Sequence, residues 1–122
     1  MCGIVGIYSE NHVASSIYDS LLMLQHRGQD AAGMSVCDST GKINSRKSKG
    51  YVRDTFHQGH MSRLLGNYGI GHVRYPTAGG GGKEFAQPMY VNSPYGISIA
   101  HNGNLTNSKT LARELFHAEM RH

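Results

Sequence analysis

The order of strand-like and helix-like segments constrains the fold of this chain more than any other feature. Short apolar runs bounded by glycine, proline or polar turns predict strands, and apolar residues at helical spacing predict helices. The predicted strands are 3–8, 31–37, 42–49, 68–74, 89–92 and 97–101. Three helices are predicted: one begins after Asn11, a short one lies around 61–65 and ends near Gly66-Asn67, and the last runs from Thr106 or Asn107 to His122. Strands joined by both hairpins and helices indicate an α+β or layered α/β fold with a largely antiparallel sheet.

Composition limits the class of protein. A chain of 122 residues, 39% hydrophobic and 16% charged, is at most one domain with a modest core. It has no apolar run of about 18 residues that could span a membrane, and no charged segment followed by an apolar run that would form a secretory signal. Cys2 and Cys37 are too few for a disulfide framework, so we expect a cytoplasmic protein without membrane contact.

The net charge of +4 raises the alternative of nucleic-acid binding. Much of the excess lies between Lys42 and Arg53, where no known nucleic-acid-binding motif is found and aromatic residues do not alternate with the basic ones. A solvated hairpin explains the same charges. We therefore expect no nucleic-acid partner.

Cys2 is a candidate nucleophile because it follows the initiator Met1 directly. Removal of Met1 would place a thiol and a free α-amine on one residue. An α-amine has a pKa of about 7.7–8.0, so near neutrality it can accept the thiol proton and serve as the base. A single cysteine is nevertheless a weak motif, and taken alone a cysteine at position 2 is usually just an ordinary small residue.

Three further residues could complete an amide-cleaving site. Asn102 and Gly103 follow a predicted strand and could supply a side-chain N–H and a backbone N–H to an oxyanion hole. The alternative is a tight turn, in which Asn-Gly is common. Arg74, at the end of another strand, could bind a substrate carboxylate through its guanidinium fork, or form a surface ion pair.

The glycine run at 79–82 superficially resembles a phosphate-binding loop. It does not fit the P-loop pattern, because Thr77 stands at the first glycine position and Glu84 follows the lysine. We expect a mobile lid instead, since consecutive glycines maximise backbone freedom.

Metal binding is not indicated. None of the eight histidines forms an H-x-x-x-H pair with an acidic partner, and the two cysteines lie far apart in the sequence. We expect no metal or other cofactor in this segment.

Four motifs in the same order resemble the class II, N-terminal-nucleophile family of glutamine amidotransferase domains. They are MCGIVG at 1–6, LQHRGQDAAG at 24–33, GHVRYPTAG at 71–79 and AHNGNL at 100–105. The resemblance covers essentially the whole chain. It implies a four-layer αββα N-terminal-nucleophile sandwich, present here in incomplete form.

Details within these motifs resemble one branch of the family. Asparagine synthetases have proline where this chain has Gln29, and glucosamine-6-phosphate synthases differ over 74–79. The segments 74–79, 87–88 and 90–96 resemble the members that make 5-phosphoribosylamine from phosphoribosyl pyrophosphate, the first committed step of purine synthesis. The alternatives are an inactive fragment or interaction piece of such an enzyme, or the amidotransferase domain of another class II enzyme.

The resemblance implies a role for each matching catalytic residue. Cys2 would attack the side-chain amide of L-glutamine and form a γ-glutamyl thioester, with its α-amine acting first as base and then as acid. Asn102 and Gly103 would form the oxyanion hole.

The resemblance also implies a set of substrate-binding residues. Arg74 would hold the glutamine α-carboxylate with Thr77 nearby, and Arg27 with Tyr75 would latch the glutamine loop. Gly28 would lie in the tight strand–helix neighbourhood of the nucleophile.

The remaining expectations concern the whole enzyme. Residues 1–122 would be the N-terminal part of the amidotransferase domain, with the rest of it and a phosphoribosyltransferase domain lying beyond. That second domain would bind phosphoribosyl pyrophosphate with Mg²⁺, the full-length enzyme would be a homo-oligomer, and no iron–sulfur cluster is expected. We also expect residues 1–122 alone to be poorly stable and a weak or inactive glutaminase.

Overall fold

A four-stranded antiparallel sheet is the centre of the fold. The computed structural model describes residues 1–76 and 83–118. The sheet contains β1 (Gly3–Tyr8), β2 (Ala31–Cys37), β3 (Ile43–Lys49) and β4 (Tyr68–Arg74), in the spatial order β1-β4-β2-β3. The basic strand β3 therefore lies at an edge, as its polar pattern predicts.

The remaining elements surround this sheet. Helix α1 (Ala14–Met23) connects β1 to β2, and the short helices α2 (Val52–Thr55) and α3 (Gln58–Met61) connect β3 to β4. Strands β5 (Met89–Val91) and β6 (Ile97–Ile99) form a separate antiparallel hairpin, and α4 (Ser108–His117) follows it. Two 3₁₀ turns, Gln25–Arg27 and Lys83–Phe85, complete the described elements. No helix in the described part of the chain has the length and apolar content needed to cross a bilayer.

Helix α1 covers one face of the sheet and forms the core with it. Ile17 and Leu21 on α1 are fully buried. They approach β4 at its glycines, where a Cβ on Gly71 would lie 2.6 Å from Cγ2 of Ile17. The contact requires glycine for space, because a side chain there would push the helix off the sheet. The larger core consists of Val13, Ala14, Ile17, Leu21, Ala32, Met34, Val36, Val52, Phe56, Leu64 and Val73.

The β5–β6 hairpin covers part of the opposite face. Alternation along the strands directs Ser35 and His72 away from α1. The Ser98 hydroxyl on β6 donates a hydrogen bond to the Ser35 hydroxyl at 2.7 Å. At Gly33 an added Cβ would overlap the Gln87 carbonyl oxygen, so glycine lets the segment before β5 lie directly on β2. Helix, sheet and hairpin are thus stacked, and the α+β prediction with a largely antiparallel sheet is confirmed.

Several predicted boundaries are wrong. Asn11 does not cap α1; Val13 occupies the N-cap position without a side-chain bond. The Val13 N–H donates to the Gly66 carbonyl at 2.9 Å, so a long-range backbone bond fixes the entry to the helix.

The helix predicted around 61–65 is replaced by α2 and α3, and α3 ends at Met61. Gly66 is required by contact rather than by a helix end, because a Cβ there would lie 2.6 Å from the Cys37 carbonyl oxygen. Asn107 does occupy the N-cap of α4, which spans Ser108–His117, and the predicted continuation over 119–122 lies outside the described residues. The predicted lid at 79–82 lies outside the described residues.

Candidate active site

The antiparallel pairing brings the chain start to the end of β4. Gly3 pairs with Val73, and Ala31 pairs with Arg74 on the other side of β4. The same register places Cys2 opposite Arg74. The first residue before β1, the last residue of β4 and the first residue of β2 therefore meet at one end of the sheet.

Cys2 is half-buried and is held by two neighbours. The Tyr75 N–H donates to Cys2 Sγ at 3.4 Å, and Arg27 Nε donates to the Cys2 carbonyl at 3.1 Å. Met1 itself is 78% exposed. Cys2, the predicted nucleophile, thus contacts Arg27 and Tyr75, the two residues predicted to latch the glutamine loop. Met1, which would have to be removed, is exposed to solvent.

Arg74 is buried in an ion pair. Its Nη1 donates to Asp30 Oδ2 at 2.7 Å, and the side chains are only 8% and 16% exposed. The guanidinium carbon also lies 5.1 Å from the centre of the Phe85 ring, a cation–π distance. The alternative of an ion pair is realised, although within the protein rather than at its surface. A role in binding glutamine stays a prediction for Arg74.

Asp30 and Phe85 were not singled out from the sequence. Asp30 is bound to Arg74 twice, since the Asp30 N–H also donates to the Arg74 carbonyl at 3.0 Å. Asp30 lies just before β2, so Arg74 could be identified as its partner only with knowledge of the β2–β4 register. Nothing in the sequence signals Phe85.

Gly28 allows the segment before β2 to lie against the end of β4. A Cβ at Gly28 would be 2.5 Å from the Arg74 carbonyl carbon. Its φ of −167° is ordinary extended backbone, so glycine is required by space alone. A cleft of about 450 Å³ adjoins this contact; its lining residues are His26, Gly28, Gln29, Asp30, Tyr75 and Pro76. Thr77, the remaining predicted binding residue, lies outside the described residues.

Asn102 and Gly103 are held by side chains from two other segments. Asn102 Oδ1 lies 2.9 Å from Nε2 of His72, a residue of β4 two positions before Arg74. The His101 N–H donates to Gln87 Oε1 at 2.7 Å. Gly103 has a φ of +153°, a conformation that residues with a Cβ rarely adopt. The amide predicted for an oxyanion hole is therefore held by a side-chain contact, and the predicted glycine has a conformation suited to glycine.

His72 is the other residue that sequence reasoning did not assign. In the sequence it is one of eight histidines without a metal-ligand pattern. Burial lowers its pKa below the usual range and the Arg74 charge adds to the lowering, while the bond with Asn102 opposes both. His72 is therefore neutral near pH 7. Within residues 1–76 and 83–118, no group of three or more His, Cys, Asp or Glu side chains could hold a metal ion.

The layered fold with a cysteine immediately before its first strand is similar to that of the glutamine amidotransferase domain in solved amidotransferase structures. By sequence, the chain is similar to amidophosphoribosyltransferases. It is 58% identical to the Pseudomonas aeruginosa and Escherichia coli proteins over all 122 residues, and 51% identical to that of Saccharomyces cerevisiae over 125 aligned positions. It spans about a quarter of the length of these relatives, 24% in each case.

Two solved structures match the fold over the whole chain. One is the structure of the allosteric regulatory enzyme of purine biosynthesis, with a TM-score of 0.86 and 35% identity. The other is the glutamine phosphoribosylpyrophosphate amidotransferase from B. subtilis complexed with ADP and GMP, with a TM-score of 0.83 and 32% identity. The chain covers 26% of each. No family model matches the chain. The resemblance and the incomplete sandwich expected from the sequence are confirmed.

Proposed function

We propose that this chain is the glutamine-hydrolysing segment of an enzyme that makes 5-phosphoribosylamine from phosphoribosyl pyrophosphate in purine synthesis. The observation that carries the proposal is the position of Cys2 at the meeting point of β1, β2 and β4, in contact with Arg27 and Tyr75. The identity of 51–58% to proteins named amidophosphoribosyltransferase supports the choice of acceptor.

The proposed chemistry begins with removal of Met1. The freed α-amine of Cys2 takes the thiol proton, and the sulfur attacks the carbon of the glutamine side-chain amide. The Asn102 side-chain N–H and the Gly103 backbone N–H stabilise the resulting oxyanion. The amine then returns the proton to nitrogen as the C–N bond breaks, releasing ammonia and leaving a γ-glutamyl thioester. Water hydrolyses the thioester to glutamate and restores the thiol.

Substrate binding in this proposal depends on the end of β4. Asp30 fixes one edge of the Arg74 guanidinium, which orients the fork for the glutamine α-carboxylate. Arg27 and Tyr75 border the same site through their contacts with Cys2, and Gly28 permits the close approach of the Arg74 backbone. Thr77 would complete the binding of the carboxylate.

The proposal extends to partners of the whole enzyme. Phosphoribosyl pyrophosphate, bound with Mg²⁺ in a further domain, would accept the ammonia, and the enzyme would be a homo-oligomer without an iron–sulfur cluster. Cys2 and Cys37 are both free thiols, which suits the reducing cytoplasm.

The test is Cys2→Ser in the full-length gene product, with Cys37→Ala as the matched control. We expect Cys2→Ser to lose glutamine-dependent synthesis by at least about a thousandfold and to keep ammonia-dependent synthesis, since only the first needs the nucleophile. Cys37→Ala should keep both activities. Intact mass should show that Met1 is missing from the active protein.

Two outcomes would contradict the proposal. One is a folded Cys2→Ser protein that still hydrolyses glutamine, or that loses both activities. The other is amination of fructose 6-phosphate rather than phosphoribosyl pyrophosphate, which would favour the glucosamine-6-phosphate synthase alternative.

A further inference from the structure

His72 lies where β4 passes beneath the Asn102–Gly103 segment. It is fully buried, and its cross-strand neighbours are Ile4 on β1 and Gly33 on β2. Neither neighbour carries a polar side chain. The polar contact of its side chain in the described part of the chain is the one at 2.9 Å to Asn102 Oδ1, and Nδ1 has no partner there.

A side-chain amide has one accepting end and one donating end, and an oxyanion hole can use only the donating end. When His72 Nε2–H donates to Asn102 Oδ1, the Asn102 Nδ2 group is turned away from His72 and is available to a substrate oxygen. When the amide is rotated by half a turn, its oxygen takes that place and repels the developing negative charge. Which end faces the substrate therefore depends on the proton at Nε2.

The surroundings of His72 favour the productive arrangement. The ring is neutral, so one nitrogen carries the proton and the other has a lone pair. Protonation at Nε2 satisfies that donor with Asn102 Oδ1 and leaves a lone pair at Nδ1. Protonation at Nδ1 would instead leave a buried N–H without an acceptor, and orphaned N–H groups are the rarer kind in proteins.

A second anchor holds the preceding residue. Gln87 Oε1 accepts the His101 N–H, and Gly33 provides the space in which the Gln87 backbone lies on β2. The bond from the His101 N–H holds the backbone next to Asn102, whereas the rotation of the Asn102 side chain is limited by its contact with His72.

We propose that His72 is a positioning residue of the oxyanion hole, which donates from Nε2 to Asn102 Oδ1 and thereby directs Asn102 Nδ2 at the substrate oxyanion. The inference rests on the proposed glutaminase function. His72 acts through Asn102 and does not touch the reacting atoms. Its effect should therefore appear in the rate of the chemical step and disappear when Asn102 is removed.

The experiment compares His72→Met and His72→Gln in the full-length gene product. Met has similar bulk without a donor, whereas the terminal amide of Gln can place an N–H near the position of Nε2. We expect Met to lower kcat for glutamine hydrolysis by about 10- to 100-fold, part of the 10²- to 10³-fold loss typical of a missing oxyanion donor. KM for glutamine and ammonia-dependent synthesis should change less than about twofold, and Gln should restore most of kcat.

Two further readouts separate positioning from a general structural role. Alkylation of Cys2 by iodoacetamide needs the thiol but no oxyanion hole, so its rate should be unchanged in His72→Met. On an Asn102→Ala background, the same substitution should lower kcat no further. Should His72→Met not fold, His72→Asn replaces it, because its shorter amide does not reach Asn102.

The inference is overturned if kcat is unchanged in His72→Met, if His72→Gln is no better than Met, or if the loss persists on the Asn102→Ala background. Parallel loss of kcat and Cys2 alkylation would also overturn it. Absence of glutaminase activity in the unsubstituted protein, or its persistence in Cys2→Ser, would instead contradict the proposed function.

Discussion

Arg74 forms an ion pair with Asp30 inside the protein and is also the residue proposed to bind the substrate carboxylate. Arg74 is buried, and its carboxylate partner fixes Nη1. A guanidinium carries its five donors in a rigid planar fork, so a carboxylate that holds Nη1 also sets the direction of the whole fork. Structure and binding can therefore share this side chain.

From this arrangement we predict that Arg74→Ala acts mainly on glutamine binding. Loss of a charge-assisted contact of about 1.5–3 kcal/mol should raise KM for glutamine by about 10- to 100-fold. Steady-state kinetics with glutamine and with ammonia provide the measurement. Arg113→Ala, on the exposed side of α4, is the control and should be unchanged; an unaltered KM in Arg74→Ala would refute the assignment.

Gly28 offers a second prediction at this scale. In Gly28→Ala, the new Cβ would meet the Arg74 backbone rather than a movable side chain, so we expect a loss of about 3 kcal/mol in the free energy of unfolding. Gly59→Ala is the matched control, because nothing lies within 4 Å of the added atom and alanine favours the helix. Urea denaturation measures the stability of both variants. If Gly28→Ala and the unsubstituted protein have equal denaturation midpoints, the prediction is wrong.

Among the elements, β4 contributes Arg74 to the site and many of the contacts that shape it. One face provides Gly69 and Gly71 for the close approach of α1. The other provides His72 for Asn102 and Arg74 for Asp30. The same strand pairs with β1 and β2, so displacement of β4 would disturb the core, the ion pair and the oxyanion segment together.

The buried histidine of β4 should make stability depend on pH. Its pKa is lowered in the folded protein, so below the ordinary value of about 6.5 the unfolded chain binds a proton that the folded chain does not. Stability should therefore fall as the pH decreases from about 6.5 toward the folded pKa, by up to about 1.4 kcal/mol per pH unit. His72→Gln lacks this proton and should show a shallower slope in urea denaturation from pH 7 to 5; identical slopes would contradict the prediction.

At the scale of the whole molecule, the distribution of apolar surface is uneven. The face of the sheet under α1 is closed, whereas the hairpin and α4 expose several large apolar side chains. These are Met89, Val91, Ile97, Ile99, Leu115 and Phe116, each 45–65% exposed. Such a surface is typical of a face that other protein covers.

We therefore predict that residues 1–122, produced alone, bind a hydrophobic dye, associate at micromolar concentration and hydrolyse glutamine weakly or not at all. Dye fluorescence, sedimentation and glutamate release provide the measurements, with the full-length gene product as the control. Robust turnover by a monomeric 1–122 polypeptide would contradict this prediction.

The sequence was sufficient for features that depend on local pattern. Five of the six strands match their predicted segments closely, because alternation and glycine-bounded apolar runs are local signals. The α2–α3 region was missed, since four-residue helices have too little periodicity to detect and are set by packing. The cap of α1 was missed because a bond to Gly66, distant in sequence, replaces it.

For the site, the sequence by itself determined the chemical groups: a cysteine behind Met1, an Asn-Gly pair, and an arginine after a strand. Only the tertiary structure decided what surrounds them. Asp30 and Phe85 at Arg74, and His72 at Asn102, come from segments separated by 11–44 residues in the chain. The physical reason is that strand register, which no local pattern encodes, sets which side chains meet at the end of the sheet.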